Sequence, residues 1–200
     1  MTKILLIRHG MTNSVGKRLS GRHPDVHLNE EGRLQAEMLA QRLSHINIHA
    51  IYSSPLERAL ETAKPLGAVH NLMIIPNENF LEINVGNWTN KTFDEIKTDP
   101  VFKRFNSFRS TTRIPGGEMM PEAQLRIIAG IEQLRTVHPS ETIVIVSHSD
   151  LIKAAIAYYA GIHLDMFQRL EIFPASVSIV EVFEDTARIL GLNDTGEINV

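Results

Sequence analysis

Several short apolar runs in this 200-residue sequence end abruptly in groups that can handle phosphate. Ile4 to Ile7 stops at Arg8-His9-Gly10, Ala50 to Tyr52 stops at Ser53-Ser54-Pro55 with Arg58 one turn further on, and Thr142 to Val146 stops at Ser147-His148. Glu82, just before Gly86 and Trp88, is a fourth candidate. If these points converge, the chemistry is phosphoryl transfer. A neutral imidazole at His9 can attack phosphorus and split one hard displacement into two easier ones. Arg8 and Arg58 offer planar forks of donors to phosphate oxygens. Their charge also disfavours the imidazolium form, which keeps the nucleophile available. The second ring nitrogen of His9 needs a carbonyl or carboxylate partner to fix its tautomer. Glu82 can protonate the leaving alkoxide and then activate water, and a carboxyl beside a dianion has the raised pKa an acid needs. His148 can stabilise charge on the transferring oxygens. Each residue also has a plainer reading when taken alone: Arg58 as a surface ion pair, Glu82 as a solvated carboxylate, Trp88 as core.

The elements that must position these groups follow from the pattern. Wholly apolar runs such as Ile4–Ile7 and TIVIV (142–146) suit strands buried on both faces of a parallel sheet. Between them lie helical stretches. One is capped by Asn29, with Leu34, Met38, Leu39 and Leu43 assigned to its apolar face. A second is opened by Pro55 and carries Leu56, Ala59, Leu60 and Ala63. Two more run over about 122–137 and 151–159. Ser176 to Phe183 and Arg188 to Leu192 read as a closing hairpin. The fold class expected is α/β, a three-layer sandwich with a mostly parallel central sheet and helices on both faces. Residues 69–118 break the rhythm, and are expected as a lid or cap region inserted into a single domain covering 1–200. Since ligands of such sheets bind at the carboxyl ends of the strands, the polar run ends mark the site.

Composition narrows the function. With no Cys there is no disulfide framework, thiolate metal site or cysteine nucleophile. A net charge of −3 speaks against a general nucleic-acid binder, so an anionic ligand must meet a local cluster of positive charge. No stretch approaches the roughly 18 apolar residues of a membrane span, and the N-terminus carries no signal-peptide pattern. A cytoplasmic setting is expected. The nine histidines suggest a metal site only weakly. Apart from His9 and His148 they are scattered, and His23/His27 and His45/His49 fall in a loop and past a helix end. No metal and no cofactor are expected.

Read together, LIRHG (6–10) with Thr12, SSPLERALETA (53–63), LEINVGNW (81–88), PGGE (115–118) with Arg126, and VIVSH (144–148) resemble the histidine phosphatase superfamily in its phosphoglycerate-mutase-like branch. The resemblance implies His9 as nucleophile, Arg8, Arg58 and His148 as phosphate ligands, Glu82 as proton donor, and no metal. It also exposes departures. Met11 stands where the family usually has Glu. Val15 stands where an asparagine usually touches phosphate, which leaves Asn13 or Ser14 to replace that donor. Ser20 replaces a glutamine before Gly21, and the stretch 22–32 is longer by one residue. Ser149-Asp150 stands where Gly-Gly is frequent; the Ser149 N–H can still meet phosphate, but Asp150 adds a negative charge.

The expected partner is a small-molecule phosphate ester, with neither nucleic acid nor membrane, and a homodimer stays open beside the monomer. Hydrolysis is preferred over a phosphoglycerate-mutase-type transfer because 200 residues leave little room for the mutases' extra segments. A weakly catalytic binder of phosphorylated ligands is a third reading. It sits badly with an acid facing a nucleophile, which a pure binder does not need. Lys103, Arg104, Arg109 and Arg113, interleaved with Phe102, Phe105 and Phe108, read either as a basic lid over the substrate or as a solvated helix with its aromatic residues turned inward.

Overall fold

Alternate residues of the apolar runs face two different cores, which is why the runs become buried strands. A computed structural model describes residues 1–196. Along β1 (Thr2–Arg8), Ile4 and Leu6 join one cluster while Leu5 and Ile7 join the other. β6 (Thr142–Ser147) divides its residues in the same way. Together with β3 (Ala50–Ser53), β4 (Ile74–Pro76), β7 (Val177–Val182) and β8 (Ala187–Asp194) they form a six-stranded sheet in the order β4-β3-β6-β1-β7-β8. The first four are parallel to one another, and β7 is antiparallel to both β1 and β8.

Helices surround this mixed sheet. Residues of α1 (Glu30–Leu43) and α2 (Glu57–His70) pack in the cluster of Leu5 and Ile7, and residues of α5 (Met120–Val137) and α6 (Ser149–Ala160) in that of Ile4 and Leu6. A short ribbon, β2 (Arg18–Leu19) with β5 (Lys91–Thr92), precedes α3 (Phe93–Ile96) and α4 (Pro100–Ser107). Asn29 caps α1 by accepting from the Gly32 N–H, as its position before the apolar pattern requires.

The buried face of α1 differs from the one read from the sequence. Leu34 and Met38 are exposed, and Ala36, Leu39, Ala40 and Leu43 are buried. The reason is close packing on α2, where Ala59 and Ala63 are buried in the same cluster; small residues on both helices let the backbones approach. α2 itself begins at Glu57, two residues beyond Pro55, and buries Ala59, Ala63 and Leu66 while Leu56 and Leu60 stay half-exposed. The stretch 69–118 starts within α2 and contributes β4 to the sheet edge before running through the ribbon, α3 and α4. Within it Trp88 is core, with Phe102 and Phe105 edge-on at 5.3 and 5.7 Å between ring centroids. Its indole N–H donates to Asp99 Oδ2 at 2.9 Å.

Candidate active site

The strand order brings the polar run ends together. β3, β6 and β1 are adjacent and parallel, so Ser54, His148 and His9 leave the sheet side by side at its carboxyl edge. The His9 N–H donates to the Ser147 carbonyl at 3.0 Å and the Ser54 N–H to the Val146 carbonyl at 2.9 Å, which extends the ladder into the site. The His9 and His148 rings lie 5.3 Å apart. Arg58, in the first turn of α2, is 2% exposed and not a surface ion pair. Its Nη2 donates to the Gly21 carbonyl at 2.7 Å. Arg8 Nη1 donates to the Ile172 carbonyl at 2.6 Å.

The tautomer of His9 is set by the protein. Nδ1 lies 2.8 Å from the Gly10 carbonyl oxygen, which can only accept, so in the neutral ring Nδ1 carries the proton and Nε2 keeps its lone pair. Gly10 is itself held by its N–H to Thr62 Oγ1 at 2.9 Å, and that hydroxyl donates to the Arg58 carbonyl at 2.7 Å. A Cβ on Gly10 would meet the Gly32 carbonyl oxygen at 2.7 Å, so only glycine allows this loop to lie against the start of α1. Burial, then the charges of Arg58 and Arg8, hold the His9 pKa well below its ordinary value, with a smaller opposing pull from the Gly10 carbonyl. His148 is lowered in the same way, first by burial and then by Arg58. Its Nε2 lies 2.8 Å from Ser54 Oγ. A hydroxyl donating there leaves the proton on Nδ1, and Nδ1 has no protein partner. Arg8 Nε and Arg58 Nη1 are likewise buried without a protein partner. Buried donors of this kind fit the oxygens of a phosphoryl group.

A cavity of about 190 Å³ opens onto His9, Arg8 and Arg58, smaller than the roughly 300–1,000 Å³ usual for drug-sized ligands; His148, fully buried beside the His9 ring, does not line it. Arg8, His9, Arg58, Glu82, Ser149, Ser14 and Gly21 all line it. Glu82 Oε1 accepts from the Ile83 N–H at 2.9 Å. Burial and then the neighbouring Asp150 carboxylate raise its pKa to about 7, against the Ile83 N–H, Arg58 and Arg8, which pull it down. A carboxyl titrating there can serve as acid in one step and base in the next.

Asn13 is a site candidate that the structure turns away from the cavity. Its Oδ1 faces Asn29 Nδ2 at 3.5 Å, and it does not line the cavity. Thr12 pairs with Leu28 in a β-bridge, and the chain turns directly after it, over residues 13–17. Thr12 and Ser14 line the cavity and Asn13 does not. Met11 does not line it either, whereas Val15 does, alongside Leu19, Val85 and Phe93. None of Lys103, Arg104, Arg109 and Arg113 lines the cavity. Arg104 covers the Phe108 ring at 5.3 Å, and Arg113 pairs with Glu122. Arg109 turns inward between the rings of Phe105 and Phe167, at 4.4 and 4.5 Å, and meets Asp150 at 3.3 Å. The sequence reading missed the role of Thr62 and the Arg109–Asp150 pair, and quoted Thr12 as part of the motif without giving it a place in the site. Thr62 had a local signal, being four residues after Arg58 on a helix; the pair, 41 residues apart, had none.

The family model of the histidine phosphatase superfamily (branch 1) matches residues 4–195. The chain belongs to that superfamily. Histidine phosphatases carry the phosphoryl group on a histidine, and this chain is a phosphatase of that class. Phosphoserine phosphatase 1 of Hydrogenobacter thermophilus is 33% identical over 199 residues, 98% of this chain and 93% of the relative. Bacillus stearothermophilus YhfR superposes with a TM-score of 0.92 at 31% identity, covering 100% of both chains. A mycobacterial glucosyl-3-phosphoglycerate phosphatase complexed with VO3 superposes with a TM-score of 0.86 at 28% identity, covering 96% of this chain and 98% of its own. The two phosphatases named for their substrates act on different small phosphate esters, so the likeness reaches the phosphoryl site further than the alcohol site.

Proposed function

We propose that the chain hydrolyses a compact phosphate monoester through a covalent phosphohistidine at His9. The observation that carries this reading is the His9 ring itself. Its Nδ1 proton is committed to the Gly10 carbonyl, which leaves the Nε2 lone pair free, and the charges of Arg58 and Arg8 act on the ring with His148 5.3 Å away between centroids. In the first step Nε2 attacks phosphorus, the P–O ester bond breaks, and the carboxylic acid of Glu82 gives its proton to the leaving alcohol. In the second, water attacks phosphorus, the Glu82 carboxylate takes a proton from it, and the P–N bond breaks to restore neutral His9. Arg8, Arg58, His148 and the Ser149 N–H hold the non-bridging oxygens, with Ser14 and the Gly21 segment at the mouth.

The small cavity supports a compact ester, and the apolar wall of Val15, Leu19, Val85 and Phe93 leaves the alcohol few polar contacts on that side. The absence of Cys supports a cytoplasmic setting, and no helix among the described residues is long and apolar enough to cross a membrane. Of the stretch 69–118, the part that follows β4 is proposed as a cap belonging to the one domain. The test is hydrolysis of an aryl phosphate and of phosphoserine in EDTA, with products analysed. Free phosphate from the native chain and none from His9→Ala is the expected outcome. Isomerised ester without phosphate release would make the chain a phosphotransferase instead.

A further inference from the structure

We propose that Glu118 is a positioning residue for Glu82, acting through Arg22 and Arg126, which it holds together against the loop that carries the acid. The proposal rests on the reading of Glu82 as the proton donor. None of the three residues lines the cavity.

The bonds converge on the backbone of one loop. Arg126 Nη1 donates to the carbonyls of Leu81, Asn79 and Glu78 at 2.8, 3.0 and 3.3 Å. Arg22 Nε donates to the carbonyl of Glu82 itself at 2.8 Å, and Arg126 Nη2 approaches the same oxygen at 3.5 Å. Two guanidinium groups brought to one carbonyl repel each other unless a counter-charge lies between them. Glu118 supplies it, with Oε1 2.8 Å from Arg22 Nη2 and Oε2 3.3 Å from Arg126 Nη2. Oε2 also accepts from the Asn84 N–H at 2.8 Å, two residues past the acid. The Glu118 N–H donates to the Asn84 carbonyl at 2.9 Å, and the Pro115 carbonyl accepts from the Asn87 N–H at 2.8 Å. A Cβ on Gly117 would meet the Asn84 carbonyl oxygen at 2.3 Å, so the 115–118 segment lies directly on the loop's backbone. The loop between β4 and β5 has little regular structure of its own, only two single-turn 3₁₀ segments, 78–80 and 86–88. Its geometry around Glu82 is therefore borrowed from these side chains, and misplacing an acid by about 1 Å can cost on the order of 100-fold in rate.

The experiment measures kcat and KM for Glu118→Gln and Arg22→Lys with an alkyl phosphate, whose leaving group needs the acid, and with an aryl phosphate, whose leaving group needs it less. Both variants should lose roughly 10- to 100-fold in kcat on the alkyl ester. On the aryl ester they should change little, with KM nearly unchanged on both. Arg22→Lys guards against a fold defect in Glu118→Gln, since Arg22 is partly exposed and keeps its charge. In a Glu82→Gln background Glu118→Gln should add less than about twofold, because it acts through a group already removed. Equal losses on both esters, or a full additional loss in that background, would overturn the proposal while leaving Glu82 as the acid. If Glu82→Gln itself shows no preference between the esters, the acid assignment falls and the positioning role falls with it.

Discussion

Arg8, His9 and His148 sit on the ends of neighbouring strands, where the backbone is paired within the sheet, whereas Glu82 sits on a loop whose carbonyls are held by arginine side chains from two other segments. The nucleophile half is positioned by the ladder that builds the fold, and His9 has its proton placed by the next residue in the chain. The acid half has no ladder. It depends on residues that are 36 and 44 positions away from Glu82 or more, among them Glu118 and Arg126. Both halves take side-chain support from afar, as Thr62 does for Gly10, but only the nucleophile half also has its backbone fixed by the sheet. This division fits the work: the phosphoryl group is common to all substrates of the class, while the acid must meet whatever alcohol leaves.

The comparison can be broken most sharply at its rigid end. His9→Ala should lower turnover by about 10⁴-fold or more, since no other neutral nucleophile shares its place, and steady-state hydrolysis of an aryl phosphate checks it. Glu82→Gln should lower kcat by roughly 10²- to 10³-fold on an alkyl phosphate and much less on an aryl one. Equal slowing would remove Glu82 from the role of acid. pH separates the halves further. Between the depressed pKa of His9 and the value of about 7 at Glu82, the nucleophile is neutral and the acid protonated. Raising the pH through 7 ionises Glu82 and leaves His9 unchanged. Transfer from an alkyl ester should then fall by about tenfold per pH unit, and Glu82→Gln should abolish that alkaline limb. A burst-phase rate measured against pH reads this directly. At the far end of the scale, Arg113→Ala breaks an exposed pair with Glu122 outside the cavity. It should leave kcat and the unfolding midpoint unchanged within error.

Much of this was legible in the sequence because the same residues that make the strands also end them. The apolar runs of β1, β3 and β6 announce buried parallel strands, and Arg8-His9-Gly10, Ser54 and His148 follow at the edge where ligands bind. What was not legible depends on neighbours far along the chain. The apolar face of α1 looked like Leu34 and Met38 because they are large, yet the alanines are buried, since α2 presents alanines in return. β4 is only three residues, and the apolar run Leu72–Ile75 that leads into it is cut short by Pro76, with Met73 and Ile75 exposed, so it does not read as a buried strand. Arg109 carries the charge of a surface residue but is enclosed by Phe105 and Phe167 and paired with Asp150. Asp150, a departure from the family in the sequence, turns out to have a partner and a neighbour: Arg109 offsets its charge, and its carboxylate helps hold Glu82 protonated.

The most direct test of the central claim is to quench the native chain with alkali during turnover of a radiolabelled phosphate ester and locate the label. A base-stable, acid-labile phosphoryl group on His9, at up to one per chain and missing from His9→Ala, is the expected result. Rapid turnover with no trapped phosphoryl group, or a label that persists in His9→Ala, would contradict a phosphohistidine at that position.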